Sequence, residues 1–278
     1  MTYLKAIILG LVQGVAEFLP ISSSGHLKIF ESIMGLPNVE EGQYMFFDVL
    51  LHFGTLVAVC AVYRKEILDI LNEFFCLIHI KKQPRGVRPN IPARRMILML
   101  ILATLPLFLI LPVKGAVEGL GSMLFIGCAL LLTGVLLFFA DRAKRGDKDE
   151  KSITVTDALC VGLAQACATV PGLSRSGTTI CAGMTRGFER QFAIRFSFLM
   201  SIPAVLGATV LELVDAIKTG IDTNLLPMYL VGLIVAMVSG YLSIRFLKYI
   251  TSKDAFGGFA YYCWGAGLVA IVLSLLGV

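Results

Sequence analysis

A carboxylate, three serines and a histidine interrupt the first apolar segment of this chain. They lie in the stretch EFLPISSSGHL, as Glu17, Ser22–Ser24 and His26. A serine hydroxyl can attack an electrophile when a neighbouring carboxylate or imidazole accepts its proton. We therefore take Ser23 as a candidate nucleophile, with Glu17 or His26 as its candidate base or acid.

Gln13 stands four residues before Glu17. On a helix that spacing places both side chains on one face, where they could bind a divalent cation such as Mg²⁺ or Ca²⁺, or orient a water molecule. The histidine has an alternative that is equally open, because His26 could be a polar residue with satisfied hydrogen bonds inside a helix bundle.

A second motif, PGLSRSGTT, has the composition of an anion-binding turn. Gly172 and Gly177 let backbone N–H groups approach a ligand, and Arg175 offers a planar fork that matches phosphate oxygens. A helix that begins after the turn adds its unpaired N–H groups and the positive end of its dipole. The motif also contains four hydroxyl donors: Ser174, Ser176, Thr178 and Thr179.

The elements that must position these residues are membrane helices. Of the 278 residues, 57% are hydrophobic and 15% charged, whereas soluble domains have about 25% charged residues. The basic residues behind the net charge of +5 fall in short loops, so we predict no nucleic-acid partner. We predict one membrane domain over residues 1–278, and a retained N-terminus, because MTYLKAIILG lacks a small-residue cleavage site.

Six apolar segments are long enough to cross about 30 Å of hydrocarbon as helices. Two further apolar segments, about 1–36 and 153–187, are broken by Pro, Gly and Ser, so we predict re-entrant helical hairpins there. The fold class is therefore an all-α integral membrane protein. The six predicted spans are about 44–63, 96–113, 120–140, 193–214, 226–247 and 258–277.

Basic loops set the predicted orientation. Residues 81–95, KKQPRGVRPNIPARR, contain six Lys or Arg and no acid, which places this loop in the cytoplasm. Two crossings later, residues 141–151 carry five Lys or Arg against four acids and return to the cytoplasm. Both termini then lie on the extracytoplasmic side.

The two broken segments resemble each other. Without gaps, residues 10–25 match residues 162–177 at an offset of 152, and seven of the sixteen positions are identical. Each half then has one hairpin and three spans, which is an odd number of crossings. We therefore predict an inverted-topology repeat, with repeat 1 about 1–140 and repeat 2 about 153–278.

The positions that differ between the two segments are complementary. The first hairpin supplies a carboxylate, a hydroxyl and an imidazole, whereas the second has Arg175 at the position of Ser23. If the tips meet, they form one composite polar site. An arginine near the bilayer centre costs at least ~2.5 kcal/mol unless it is paired or hydrated, which favours a functional site over a serine-rich turn with Arg175 reaching to an interface.

Three motifs together resemble one known family. QGVAEF followed by PISSSGH, with PGLSRSGTT, resembles the bacterial undecaprenyl pyrophosphate phosphatases of the bacitracin-resistance (BacA/UppP) family. FDVLLHFGTLVAV and FSFLMSIPAVLGA are also similar, so the resemblance covers essentially the whole chain.

The resemblance implies a multi-pass enzyme of the bacterial plasma membrane. Such an enzyme hydrolyses undecaprenyl diphosphate to the monophosphate and phosphate, recycles the lipid carrier of cell-wall synthesis and confers resistance to bacitracin. The resemblance also implies an active site open to the extracytoplasmic side, dependence on a divalent cation (Mg²⁺ or Ca²⁺) and homodimers.

Site residues carry over by position. Ser23 corresponds to the proposed nucleophile or phosphate ligand, His26 to the motif histidine and Arg175 to the phosphate-binding arginine. Gln13 departs from the better-known form of the motif, which has glutamate there, and this leaves Glu17 as the single carboxylate contact for a metal. We expect the other polar residues of both motifs to bind substrate: Gln13, Ser22, Ser24, Ser174, Ser176, Thr178 and Thr179.

The main alternative function is a polyprenyl-phosphate flippase or transporter with the same anion site, since inverted repeats with re-entrant hairpins are typical of transporters. A carrier needs no nucleophile and base, so the cluster around Ser23 favours an enzyme. Asp48 and His52, in a span beside the first hairpin, are interpreted as supporting or packing residues rather than catalytic ones.

Overall fold

Helices make up most of the residues that the structure describes. The structure is a computed structural model that describes residues 1–36, 44–80, 89–253 and 255–277, and within them there is no strand. Short 3₁₀ turns cover Leu105–Leu109, Leu111–Val113 and Thr223–Leu225. The helices are α1 (Tyr3–Phe18), α2 (Ser23–Ile33), α3 (Met45–Val62), α4 (Arg64–Leu77), α5 (Ile91–Thr104), α6 (Lys114–Glu118), α7 (Met123–Arg142), α8 (Val155–Cys167), α9 (Arg175–Thr185), α10 (Arg190–Thr219), α11 (Leu226–Ser252) and α12 (Gly258–Leu275).

Six helical segments among the described residues are long and apolar enough to cross a membrane. The all-α membrane fold and the six spans are therefore confirmed. Several boundaries differ from the prediction by a few residues, and the fifth span ends at Ser252 rather than about residue 247. The second span begins at Ile91 rather than about residue 96, because the side chain of Asn90 accepts a hydrogen bond from Ala93 N and starts the helix earlier. The six segments are Met45–Val62, Ile91–Val113, Met123–Arg142, Arg190–Lys218, Thr223–Ser252 and Gly258–Leu275.

The first broken segment folds as a helix–turn–helix hairpin. Thr2 caps α1 through its side chain, and α1 ends at Phe18 because Pro20 restricts the preceding residue to extended backbone. The chain then turns, and Ser22 Oγ accepts a hydrogen bond from Gly25 N at 3.3 Å, which caps the start of α2. The tip of the hairpin is therefore a helix N-terminus.

The second broken segment has the same form. Thr154 and Asp157 make a capping box that starts α8. After the turn, Ser174 Oγ accepts a hydrogen bond from Gly177 N at 3.1 Å, and α9 begins at Arg175. The predicted helix start after the PGLS turn is confirmed, and the arginine occupies the first helical position.

Hydrogen bonds hold the base of the first hairpin closed. Lys5 Nζ donates to Met34 O at 2.9 Å, which joins the start of α1 to the end of α2. The N-terminal ammonium of Met1 donates to Tyr44 Oη at 3.1 Å, which places this base beside the start of α3. The opposite end of α3 is marked by Tyr63, whose ring centroid lies 5.1 Å from Lys248 Nζ of α11.

The base of the second hairpin lies with the basic loops. Arg95 Nη2 donates to Ile153 O at 2.7 Å, just before α8. Gln191 Nε2, near the start of α10, donates to Lys248 O at 3.1 Å. Because Lys248 also lies over the Tyr63 ring, the base of the second hairpin is at the Tyr63 end of α3. The two hairpins thus enter the bundle from opposite ends, as an inverted repeat requires; the repeat relation itself stays a prediction.

Part of the predicted cytoplasmic loop, residues 81–88, lies outside the described residues. On its two sides, Glu73 of α4 accepts hydrogen bonds from Asn90 N at 2.9 Å and Arg94 Nε at 2.8 Å. The hydrogen bond from the Asn90 backbone N–H contributes most, followed by that from Arg94, and together they hold the pKa of Glu73 below its usual value. The charged carboxylate therefore fixes α4 to the start of α5.

Close helix contacts surround the first hairpin. A Cβ added at Gly14 would lie 2.0 Å from Ser239 Oγ, so α1 packs tightly against α11 only because this residue is glycine. The ring of Phe18 meets that of Phe198 edge-on at 5.3 Å, and both side chains are buried. Phe18 immediately follows Glu17, so this packing fixes the position of the carboxylate.

Candidate active site

The two hairpin tips meet inside the bundle. Ser176 Oγ donates to Leu19 O at 3.1 Å, and Ser24 Oγ accepts a hydrogen bond from Gly172 N at 3.3 Å. Gly172 has φ 84°, and a Cβ added there would lie 2.8 Å from Ile126 Cα of α7. Only glycine therefore lets the second tip fit between the first tip and α7.

Glu17 is the centre of the candidate site. Its Oε1 accepts from Arg175 Nη2, and its Oε2 accepts from Ser23 Oγ at 2.7 Å and from Gln13 Nε2 at 3.2 Å. Glu17 is 7% exposed, and such charge-assisted contacts are stronger than neutral ones. One carboxylate thus joins the hydroxyl of the first tip to the guanidinium of the second.

A narrow crevice opens beside this ion pair. It is lined by Glu17 and Arg175 from the two tips, and by Thr55 of α3 and Ser201 of α10. Thr55 and Ser201 lie in the two supporting stretches, FDVLLHFGTLVAV and FSFLMSIPAVLGA, that carry the family resemblance. Spans adjacent to the hairpins therefore complete the wall of the site.

His26 lies beside the site with both ring nitrogens engaged. Its Nδ1 is 2.8 Å from Ser22 O, and because a carbonyl only accepts, this nitrogen carries a proton. Its Nε2 is 2.9 Å from Tyr262 Oη of α12, and the two rings stack with centroids 5.6 Å apart. No hydrogen bond among the described residues joins His26 to Ser23 or Glu17.

The hydroxyls of the second motif mostly hold the tips in place. Ser174 caps α9, Ser176 bridges to the first hairpin, and Thr179 Oγ1 lies 2.6 Å from Ser197 Oγ. Thr178 Oγ1 is buried and has no hydrogen-bond partner among the described residues. Ser22 Oγ lies 3.4 Å from Ser24 Oγ at the first tip. The role of these hydroxyls of both motifs in substrate binding stays a prediction.

Ser22 has an unusual backbone conformation for a residue other than glycine. Its φ is 73°, a region that costs about 1–3 kcal/mol and persists only where surrounding contacts enforce it. Here the side chain is bound by Gly25 N and the carbonyl by His26 Nδ1. The strained turn directs the next residue, Ser23, towards Glu17.

A cation held jointly by Gln13 and Glu17 does not fit this arrangement. Both oxygens of Glu17 already accept hydrogen bonds, and the Gln13 amide presents its N–H group to them. The Gln13 Oε1 atom is buried and has no hydrogen-bond partner among the described residues. Rotating the Gln13 amide would place its Oε1 against Glu17 Oε2, and Arg175 would still contact the other carboxylate oxygen.

Sequence reasoning missed several residues of the site. Tyr262 follows His26 by 236 positions and lies in an apolar helix, so no local pattern connects the two. Thr133 of α7 accepts a hydrogen bond from Ser174 N at 3.2 Å, again across a large separation. Only a three-dimensional arrangement reveals such partners.

Known proteins match the chain over nearly its whole length. A family model described as "Bacitracin resistance protein BacA" matches residues 6–269. The undecaprenyl-diphosphatase of Alkaliphilus metalliredigens is 42% identical over 278 residues, which cover 99% of this chain and 100% of that protein. Those of Methanobrevibacter smithii and Carboxydothermus hydrogenoformans are 39% and 41% identical, and the matches cover 99% of each protein and 99% and 100% of this chain.

The family match spans nearly all of both hairpins, five complete spanning segments and most of the sixth. Identity of this degree over full length does not arise from shared hydrophobicity alone. The chain belongs to the family of the bacitracin resistance protein BacA.

Proposed function

We propose that this chain hydrolyses undecaprenyl diphosphate to undecaprenyl phosphate and inorganic phosphate, and that this recycling of the lipid carrier confers resistance to bacitracin. The family and the three relatives named as undecaprenyl-diphosphatases support this function. The observation in the structure that carries it is the Glu17 carboxylate, which joins Ser23 to Arg175.

Arg175 binds the terminal phosphate in this proposal. A guanidinium has five N–H donors, and the contact with Glu17 uses Nη2. The arginine can therefore hold Glu17 and phosphate oxygens together; its side chain is 20% exposed and lines the crevice. The N-termini of α2 and α9, which lie at the tips, add positive potential for the same anion.

Ser23 is the nucleophile in this proposal. Its Oγ attacks the terminal phosphorus, its proton passes to Glu17 Oε2, and the bond from phosphorus to the bridging oxygen breaks, which releases the lipid monophosphate. Water then attacks the phosphorus of the phosphoserine, the bond from phosphorus to Ser23 Oγ breaks, and Glu17 returns its proton to that oxygen. The proton of the water passes to an oxygen of the departing inorganic phosphate. Arg175 stabilises the charge that spreads over the phosphoryl oxygens in each transition state.

Glu17, rather than His26, accepts the proton in this proposal. The Ser23 hydroxyl already donates to Glu17 at 2.7 Å, whereas the two ring nitrogens of His26 face Ser22 O and Tyr262 Oη. A base must lie within hydrogen-bond reach of the proton that it takes. His26 instead fixes the strained turn that presents Ser23.

The isoprenoid tail stays in the bilayer in this proposal, and the diphosphate enters from the extracytoplasmic side of the plasma membrane. The base of the first hairpin lies at the end opposite the basic loops, which supports this orientation. A headgroup that enters at this end meets hairpin tips buried among the spans. A site at this depth serves a substrate that never leaves the membrane.

Release of phosphate by purified protein in detergent tests the function. We expect the wild-type chain to release inorganic phosphate from undecaprenyl diphosphate, because detergent leaves no second compartment for transport. A flippase without hydrolytic activity would release none, and that result would contradict the proposal.

The Ser23→Ala variant tests the nucleophile. We expect at least about a 10³-fold loss of kcat, since removal of a nucleophile leaves only binding and electrostatic stabilisation. Retention of most of the phosphate release would exclude Ser23 as nucleophile and assign the attack to water. Ser32→Ala, at a serine in the last turn of α2, is the control and should keep wild-type activity.

A further inference from the structure

Three potential metal ligands converge outside the Glu17 site. Asp48 and His52 lie one turn apart on α3, and Glu212 reaches them from α10. One ligand atom from each side chain lies within 4.8 Å of the others. Small side-chain movements would bring three atoms at this spacing to ordinary metal–ligand distances of about 2.0–2.3 Å from one ion.

Asp48 points to a ligand independently of this spacing. The residue is 4% exposed, and its Oδ1 atom is buried without a hydrogen-bond partner among the described residues. Its other oxygen, Oδ2, lies 3.4 Å from His52 Nδ1. A buried carboxylate oxygen without a donor is unfavourable, and a bound cation would satisfy it.

The donor set favours one class of ion. Ca²⁺ and Mg²⁺ prefer sites made only of oxygen ligands, whereas this cluster offers two carboxylates and one imidazole. Imidazole with carboxylate suits divalent transition metals such as Mn²⁺ or Zn²⁺. The two carboxylates carry two negative charges, and a protonated His52 could supply only one positive charge. The cluster therefore has negative charge left for a cation to neutralise.

The cluster lies next to the candidate active site. His52 belongs to this cluster and lies on α3. One turn further along α3, Thr55 lines the crevice that contains Glu17 and Arg175. The cluster also lies near the start of α3, at the end of the bundle where the first hairpin has its base.

We propose that Asp48, His52 and Glu212 form a divalent-cation site, of the Mn²⁺ class, beside the phosphate site. The cation would partly neutralise the diphosphate that Arg175 binds, so this role rests on the proposed function. A cation at this place would lie between α3 and α10 rather than at Gln13 and Glu17.

Direct binding of Mn²⁺ tests the site without relying on activity. The purified full-length chain is treated with EDTA, titrated with Mn²⁺ in detergent, and free Mn²⁺ is counted by electron paramagnetic resonance. We expect one tight site per chain in the wild type. Glu212→Gln and His52→Asn should each weaken binding at least about tenfold, since even the loss of a hydrogen-bond partner of a ligand typically costs about 10–100-fold in metal affinity.

Two further variants provide controls. Asp215→Asn removes the same charge from α10 at a residue paired with Lys218, and it should bind Mn²⁺ as the wild type does. Glu17→Gln should also retain Mn²⁺ while losing activity. Loss of Mn²⁺ in Glu17→Gln with retention in Glu212→Gln would overturn the proposal, as would a wild type that binds no more Mn²⁺ than His52→Asn.

Failure of the proposed function would look different. A wild type that binds Mn²⁺ tightly, through the three ligands, yet releases no phosphate from undecaprenyl diphosphate would contradict the hydrolase and support the cation site.

Discussion

At each hairpin tip a serine caps a helix, and the next residue differs between the two. Ser22 caps α2 and is followed by Ser23, whereas Ser174 caps α9 and is followed by Arg175. Both following residues contact Glu17. The same local backbone plan thus presents a hydroxyl from one side and a guanidinium from the other, which one tip alone cannot do.

The interiors of the hairpins differ in the same sense. Gln13 donates to Glu17, whereas Gln165, its counterpart at the offset of 152, has neither amide atom bonded among the described residues. Thr169 stands where the first hairpin has Glu17, and its hydroxyl donates to Ala166 O within its own segment. In the proposed mechanism, the first hairpin therefore carries the groups for attack, and the second carries the group for binding.

The largest expected effect is at Arg175. Arg175→Ala should lower kcat/KM for phosphate release by at least about 10³-fold, because an arginine that stabilises phosphoryl transfer is typically worth 10³–10⁵. Arg175→Lys should retain part of the activity, since lysine keeps the charge but loses the fork. Activity of Arg175→Ala within tenfold of the wild type would show that the second tip does not bind the phosphate.

Glu17→Gln should have the next largest effect. We expect kcat to fall about 10²–10⁴-fold with a smaller change in KM, because a general base acts mainly in the transition state. The counterpart variant Thr169→Ala should keep near wild-type activity. Equal losses in the two variants would contradict the division of roles between the hairpins.

Substitutions at His26 and Tyr262 should lower kcat less than Glu17→Gln does. Tyr262→Phe removes one hydrogen bond to His26, worth about 1 kcal/mol, so kcat should fall about fivefold to tenfold. His26→Gln should lose more than Tyr262→Phe but less than Glu17→Gln. A loss in His26→Gln as large as that in Glu17→Gln would instead assign the histidine as the base.

Backbone strain gives the smallest effect, on stability rather than on chemistry. Gly172→Ala places a Cβ at φ 84° against α7, and it should lower the free energy of unfolding by about 1–3 kcal/mol. Ser22→Gly relieves the same type of strain at φ 73° but loses the cap, so its change should be smaller. Thermal unfolding in detergent measures both, and equal destabilisation would contradict the comparison.

Some of this arrangement was predictable from the sequence. Apolar length gave the six spans, and Pro, Gly and Ser gave the two breaks, because both signals are local. Tyr262 was not predictable, since its contact with His26 depends on how α12 packs beside α2. The cluster of Asp48 and His52 with Glu212 was missed for the same reason: the third ligand comes from a different helix.

The central claim is that Glu17 and Arg175 act on one phosphate group, and a double-variant cycle tests it most directly. Glu17→Asp, Arg175→Lys and the double variant are compared by kcat/KM for phosphate release, with substitutions mild enough to keep the rates measurable. We predict strongly non-additive losses, with the double variant within about threefold of the slower single variant, because the two residues act as a unit. Losses that multiply would mean that the two tips act independently, and would contradict the composite site.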